Sequence, residues 1–225
     1  MSDISFELKK GIYLVAGATG MIGSHALRLL ANQDGIEVIA VSHKRKEFFF
    51  ADNIKYIYAD LTDEKECLKL AEQADYILMF AGIKSHASVI AIDPIYPVKK
   101  SLEIANNMFY AAYRKQVKKL VWLSSSTGYP LSNNKLQESD MFEGNPPDHW
   151  YPVGWMTRYL ESQCKMYSEK LKNPIDIIVL RPTLVYGEFD NFNFEQGNFV
   201  TALIRRVVER IDPIEVWGDG EQTRD

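Results

Sequence analysis

Short apolar runs alternate along this chain with longer stretches in which apolar residues recur every three or four positions. The runs Gly11–Ala16, Glu37–Ser42, Ile54–Tyr58, Tyr76–Ala81, Lys119–Ser124 and Asp176–Leu180 have the length and β-branched or aromatic content of buried strands. Between them, Met21–Asn32 places Ile22, Ala26, Leu29 and Leu30 on one helical face, and Asp63–Gln73 does the same with Cys67, Leu68, Leu70 and Ala71. Two longer helices follow, Val98–Lys115 and Tyr151–Lys170. Strands with few polar residues, separated by helical periods, predict a parallel sheet covered on both faces. That is a doubly wound α/β fold, whose ligands sit outside the carboxyl ends of the strands. Tyr129–Pro147 is the longest irregular connection, and loops of that length are more often functional than decorative. Asn198–Arg210 reads as a helix and Ile214–Trp217 as a short strand.

The first strand breaks into Gly17, Gly20 and Gly23, spaced three apart, where the first helix should begin. Glycines there permit a tight turn, close backbone approach to a pyrophosphate and close packing of helix on strand. Helix-end N–H groups and the helix dipole then hold the anion. Thr19, Met21 and Ile22 belong to the same turn and join the glycines as candidate cofactor-binding residues. The second strand runs into Ser42-His43-Lys44-Arg45-Lys46, with no acid to accept from a ribose 2′-hydroxyl. Lys44 or Arg45 can instead pair with a 2′-phosphate while Ser42 donates a hydrogen bond, which favours NADP over NAD.

Composition narrows the remaining classes. The 225 residues are 46% apolar and 25% charged, ordinary for a globular protein. A net charge of −4 argues against nucleic acid as a partner. No run of eighteen apolar residues suggests a membrane span, and the first ten residues lack signal-peptide order. Cys67 and Cys164 lie far apart, as free thiols of a cytoplasmic protein do, and the four histidines have no metal-ligand spacing.

The G-x-x-G-x-x-G spacing resembles the extended short-chain dehydrogenase/reductase superfamily. In that superfamily an Asp after the third strand touches the adenine amine, and Asp60-Leu61 looks like that pair. Phe80-Ala81-Gly82 resembles the segment lining the cofactor's inner ribose, which assigns Ala81 and Gly82 to the cofactor. Leu120-Val121-Trp122-Leu123-Ser124-Ser125-Ser126-Thr127-Gly128-Tyr129-Pro130 resembles the corresponding stretch of the nucleotide-sugar enzymes, the GDP-fucose synthase group above all. Counted back from Tyr129-Pro130, Ser125 takes the place of the catalytic hydroxyl, which would bond the C4 oxygen of the sugar. Arg181-Pro182-Thr183-Leu184-Val185-Tyr186-Gly187 matches the stretch where Pro182 packs on the nicotinamide side. The resemblance divides the chain into a dinucleotide-binding domain, 1–182, and the start of a substrate-binding domain, 183–225, in which the closing segments of the relatives are missing. It also implies a homodimer through the two long helices, although Ile104, Met108, Leu160 and Met166 serve equally well as core residues.

The pattern fails at the superfamily's Tyr-x-x-x-Lys pair. Tyr151 is the obvious tyrosine, yet Trp155 stands four residues on. Alignment through Cys164–Tyr167 puts Val153 and Thr157 at the pair instead. Arg158 is the nearest cation, two turns beyond Tyr151 and roughly 10 Å along the axis. Thr127 and Asn198 stand where the GDP-fucose synthase group carries its epimerising cysteine and histidine, and neither titrates near neutrality. Ser126 and Thr127 replace the Asp-Glu pair of dehydratases. Redox at C4 remains: an NAD(P)-dependent nucleotide-sugar 4-epimerase or 4-keto reductase, with Ser125 and Tyr151 as catalytic residues. The alternative is a catalytically weak NAD(P)-binding module that senses cofactor or sugar nucleotide.

Overall fold

The computed structural model describes residues 8–83, 92–93, 95–194 and 197–214. In chain order it contains β1 (Gly11–Ala16), α1 (Met21–Leu30), β2 (Ile36–Ser42), β3 (Ile54–Tyr58), α2 (Glu64–Ala71), β4 (Tyr76–Met79), α3 (Ile95–Lys115), β5 (Lys119–Leu123), α4 (Tyr151–Lys165), β6 (Asp176–Leu180) and α5 (Phe199–Val208). The six strands form one parallel sheet in the order β3-β2-β1-β4-β5-β6. The order reverses between β1 and β4, which opens a crevice at their carboxyl ends.

Each face of the sheet has its own apolar layer. Leu14, Ala16, Ile39, Ile77 and Met79 project to the side of α2, α3 and α4, where they meet Cys67, Met108, Phe109 and Leu160. Tyr13, Val15, Val38 and Ala40 project to the other side against Leu27 and Leu30 of α1. Alternate residues of one strand thus serve two layers, as the period of a strand requires. Ile104, Met108 and Leu160 belong to the first layer, so the monomer uses them; Met166 is the one of the four offered as interface residues that is exposed. Burial pushes the Cys67 and Cys164 thiols up to about 12, so neither supplies a thiolate near neutrality.

The irregular segment after β5 is packed rather than loose. Short 3₁₀ turns cover Ser126–Gly128, Glu138–Phe142 and Asp148–Trp150, and Met141 is fully buried against Gly128. Arg158 on α4, only 3% exposed, fastens this segment. Its guanidinium donates to the carbonyls of Gly128 (2.8 Å), Gly144 (2.7 Å) and Glu143 (2.8 Å) and lies over the Trp155 ring. Burial lowers its pKa, and among the described residues no carboxylate is bonded to it. Arg158 is therefore a clamp, and its cation is spent on backbone.

The helix expected over 151–170 ends at Lys165 and continues as a π-helical turn, Met166–Lys170. The strand expected at Ile214–Trp217 lies outside the described residues beyond Ile214. Among the described residues no helix is long and apolar enough to cross a membrane, and none forms a group of three or more candidate metal ligands.

Candidate functional site

β1 ends at Ala16 and the chain turns at Gly17, whose φ of +81° favours glycine. A Cβ there would lie 2.8 Å from the Ala81 nitrogen and 2.9 Å from the Phe80 carbonyl carbon. The turn is therefore pressed against the end of β4, and a Cβ on Gly23 would meet the Gly17 carbonyl. Gly20 caps α1, with no side-chain bond to the cap and no acidic residue in the first turn. The N-terminal N–H groups and the positive end of the dipole stay available to an anion. Thr19 is buried in the same turn, while Met21 and Ile22 are partly exposed.

The end of β2 supplies the neighbouring groups. Ser42 is buried, and its hydroxyl, beside that of Tyr58, makes no hydrogen bond of ordinary geometry among the described residues. Arg45 reaches back to the Thr19 carbonyl at 3.5 Å, which sets its guanidinium beside the glycine turn, while Lys44 is exposed. Asp60 is held below its ordinary pKa, first by the Thr62 N–H and then by the Thr62 hydroxyl, with His43 4.0 Å away. Leu61 is buried, and its carbonyl accepts from Asn107 of α3 at 3.1 Å. A cradle that a Cβ would fill and a nearby arginine fit a phosphorylated dinucleotide.

A cavity of about 280 Å³ opens where β4 and β5 end. Ala81 and Gly82 line it from β4, Ser124, Ser125 and Thr127 from β5, and Trp150, Val153, Met156 and Thr157 from the start of α4. Candidates from the fourth and fifth strands thus converge on one space. Ser125 caps the 3₁₀ turn, its oxygen 3.2 Å from the Thr127 nitrogen and 3.0 Å from the Thr127 hydroxyl. Pro182 follows β6, and its carbonyl accepts from the Ser126 N–H at 3.3 Å.

Tyr151 is placed elsewhere. It is 50% exposed and stacks edge-on with Trp155, itself 41% exposed, and Tyr159 continues the same stripe at 53%. Spacing of four along the helix puts these three on one outward face, whereas Val153 and Thr157, buried, face the cavity. The Thr157 hydroxyl donates to the Val153 carbonyl at 2.9 Å. The 4-spaced aromatic stripe was readable in the sequence and marks Tyr151 as a surface position.

One group at the cavity escaped the sequence. The Ser124 hydroxyl donates to Glu161 Oε1 at 2.5 Å, and Arg181 donates to the same oxygen at 2.9 Å and to Oε2 at 2.7 Å. Arg181 also donates to the Tyr129 hydroxyl (2.8 Å) and the Glu138 carbonyl (2.6 Å). Glu161 is only 6% exposed. A charged residue following Leu160 on an apolar helix face, and an arginine straight after a buried strand, were the available signals.

Over residues 13–225 the chain matches the NAD dependent epimerase/dehydratase family. It is 28% identical over 221 residues to GDP-L-fucose synthase of Sinorhizobium fredii, covering 94% of this chain and 64% of that protein. With GDP-mannose 3,5-epimerase of Arabidopsis thaliana it shares 28% over 218 residues, covering 93% and 56%. The chain thus spans between about half and two thirds of the length of these relatives. Among solved structures, UDP-N-acetylglucosamine 4-epimerase from Methanobrevibacter ruminantium M1, in complex with UDP-N-acetylmuramic acid, superimposes with a TM-score of 0.83 at 24% identity, covering 97% of this chain and 69% of that one. A GDP-L-fucose synthetase from Naegleria fowleri bound to NADP gives 0.73 at 21%, covering 99% and 71%. These two likenesses establish the shared fold. With its glycine turn, its strand order and a match along nearly its whole length, the chain belongs to the NAD dependent epimerase/dehydratase family.

Proposed function

We propose that the chain is the cofactor-binding part of an NAD(P)-dependent nucleotide-sugar enzyme, a 4-epimerase or 4-keto reductase. The observation that carries this reading is the convergence of Ala81, Gly82 and Ser125 on one cavity at the carboxyl ends of β4 and β5. Relatives named for GDP-sugar chemistry support the substrate class. The nicotinamide would supply a hydride acceptor or donor for sugar C4. Gly17, Gly20 and Gly23 would hold the pyrophosphate, Asp60 the adenine and Ser125 the C4 oxygen. Ala81, Gly82 and Pro182 would shape the nicotinamide end. The two buried free thiols support a reducing, cytoplasmic setting.

Ser42, Lys44 and Arg45 favour NADP, because a 2′-phosphate would accept from the Ser42 hydroxyl and pair with Arg45. Arg45→Glu is expected to weaken NADPH binding at least about tenfold and leave NADH within about twofold, since it removes a charged partner of the phosphate alone. Fluorescence titration checks this, and equal loss for both cofactors overturns the assignment.

Among the described residues, the polar side chains lining the cavity are chiefly serines and threonines. The alternative reading is that cofactor and sugar nucleotide bind with little or no turnover. The complete gene product, incubated with NADPH and UDP-, GDP- and dTDP-sugars and their 4-keto forms, separates the two by mass-detected chromatography. Isomerisation identifies an epimerase, a two-dalton gain a reductase, and binding without conversion the second reading.

Homodimerisation would engage the outward Tyr151–Trp155–Tyr159 stripe of α4, because Ile104, Met108 and Leu160 are used by the core. Light scattering is expected to give twice the monomer mass and Trp155→Glu the monomer mass. A monomeric parent removes the proposal.

A further inference from the structure

One stretch of chain runs from β6, at one edge of the sheet, to the helix that carries the glycine turn. Pro182, at the carboxyl end of β6, is tied down by the Ser126 N–H. Phe189, seven residues on, lies against α1 and the segment after β2. Its ring centroid is 4.5 Å from the Arg28 guanidinium carbon, 4.7 Å from the Phe48 ring and 5.6 Å from the His25 ring. Arg28 also grips the Glu188 carboxylate through two parallel bonds, 2.6 Å and 3.0 Å, and holds that carboxyl below its ordinary pKa. The carboxyl ends of β5, β4 and β1 lie between the two attachments. Three strand spacings amount to roughly 14 Å, and seven extended residues span at most roughly 24 Å. A direct course therefore passes the crevice between β1 and β4.

The far part of this stretch is a stiff unit. The Asp190 N–H donates to the Gly187 carbonyl at 3.2 Å, and the Asn198 amide donates to the Val185 carbonyl at 3.3 Å and the Asp190 carboxylate at 2.8 Å. Thr183 and Leu184, both exposed, join it to the Pro182 anchor. Phe189 makes its contacts from a left-handed backbone, φ +68°, which is uncommon for a bulky side chain. Lifting the ring away relieves that strain, so the backbone opposes what the side chains close. An exposed ion pair and a cation–π contact are each weak, as an attachment that opens often must be. We infer that residues 183–190 form a strap across the cofactor crevice, latched to α1 by Arg28, Glu188 and Phe189, and that unlatching admits and releases the dinucleotide. The strap presupposes the dinucleotide site proposed above and adds to it what governs exchange, with the three latch residues acting on the ligand only through the strap.

Exchange kinetics separate a gate from a direct ligand contact. Stopped-flow fluorescence on the complete protein follows the uptake of NADPH and of NADH, and their release when chased with excess oxidised cofactor. A direct contact, once removed, speeds release alone and weakens affinity. A weakened latch speeds uptake and release together, because the ligand meets the same site once the strap is open. In Arg28→Ala, Glu188→Ala and Phe189→Ala both rates are expected to rise about three- to tenfold, with the dissociation constant within about twofold of the parent's, given the weakness of the contacts removed. The effect should be the same for both cofactors. Arg28→Glu combined with Glu188→Arg remakes the ion pair with its charges exchanged, and is expected to slow exchange again relative to Arg28→Glu alone. Glu188→Gln, which keeps the side-chain shape, carries the test if the alanine variants do not fold. Parental rates in every folded variant overturn the strap and leave the cofactor site standing. Faster release of NADPH alone, with NADH unaffected, would make Arg28 a partner of the 2′-phosphate and overturn the strap as well. Failure of the parent to bind either cofactor overturns the dinucleotide site, and the strap with it.

Discussion

The double variant Val153→Tyr, Thr157→Lys is expected to turn over a nucleotide sugar about 100 to 10,000 times faster than the parent, the range that a well-placed general acid or base contributes. Both positions line the cavity with Ser125, one helical turn apart, and the Thr157 hydroxyl is occupied by the Val153 carbonyl. The parent cavity offers hydroxyls that pass protons only weakly at neutral pH. A phenol beside Ser125, with an ammonium one turn on to favour its ionised form, would supply a proton acceptor. Tyr151→Phe is the control, and is expected to leave turnover unchanged because Tyr151 lies on the outward stripe. Steady-state rates with NADPH or NADP and the panel of sugars provide the readout. A double variant that binds cofactor as the parent does but gains no rate would show that this cavity is not where hydride moves. A loss on Tyr151→Phe would return the catalytic role to Tyr151.

Arg158→Leu is expected to cost about 3–5 kcal/mol of stability, the largest single effect outside the core. The substitution leaves three carbonyls, those of Gly128, Glu143 and Gly144, without the donor that now serves all of them. It also removes the stacked guanidinium from Trp155. For a chain of this size such a loss lowers Tm by about 10 °C, as a thermal scan of near-ultraviolet circular dichroism would show. Arg158→Lys restores one donor of the three and is expected to fall between. A change within about 1 °C for Arg158→Leu would mean that the segment before α4 holds its place without the clamp.

The parts of the molecule set by local sequence were legible before any coordinates. The runs Gly11–Ala16, Ile54–Tyr58 and Asp176–Leu180 coincide with β1, β3 and β6, because a short β-branched run between breakers has few alternatives. The glycine turn was equally clear, since its spacing reflects close approaches that only glycine allows. Tyr151 was harder. A tyrosine at a helix start reads the same whether it turns inward or outward, and two residues of rotation on α4 exchange cavity for solvent. Val153 and Thr157, which the second alignment puts at the pair, line the cavity. The Ser124–Glu161–Arg181 group could not be read locally, because its members come from three elements and meet only when α4 packs across β5 and β6. Arg158 could be read only as the cation nearest Tyr151, because charge is visible in sequence and its backbone acceptors are not.

The contact between Gly17 and the end of β4 also ties ligand occupancy to the order in which the chain assembles. β1 and β4 are more than sixty residues apart in sequence, yet the glycine turn is shaped only once the Phe80–Ala81 backbone lies against it. A partly folded chain with β1, α1 and β2 in place would present the motif without the cradle. Dinucleotide should accordingly be taken up by the native sheet alone, and at one hundred times its dissociation constant would add about 2.7 kcal/mol to the free energy of unfolding. Thermal protection by NADPH would then report closure of the sheet's centre, and a destabilised variant that still bound the cofactor could be rescued by it.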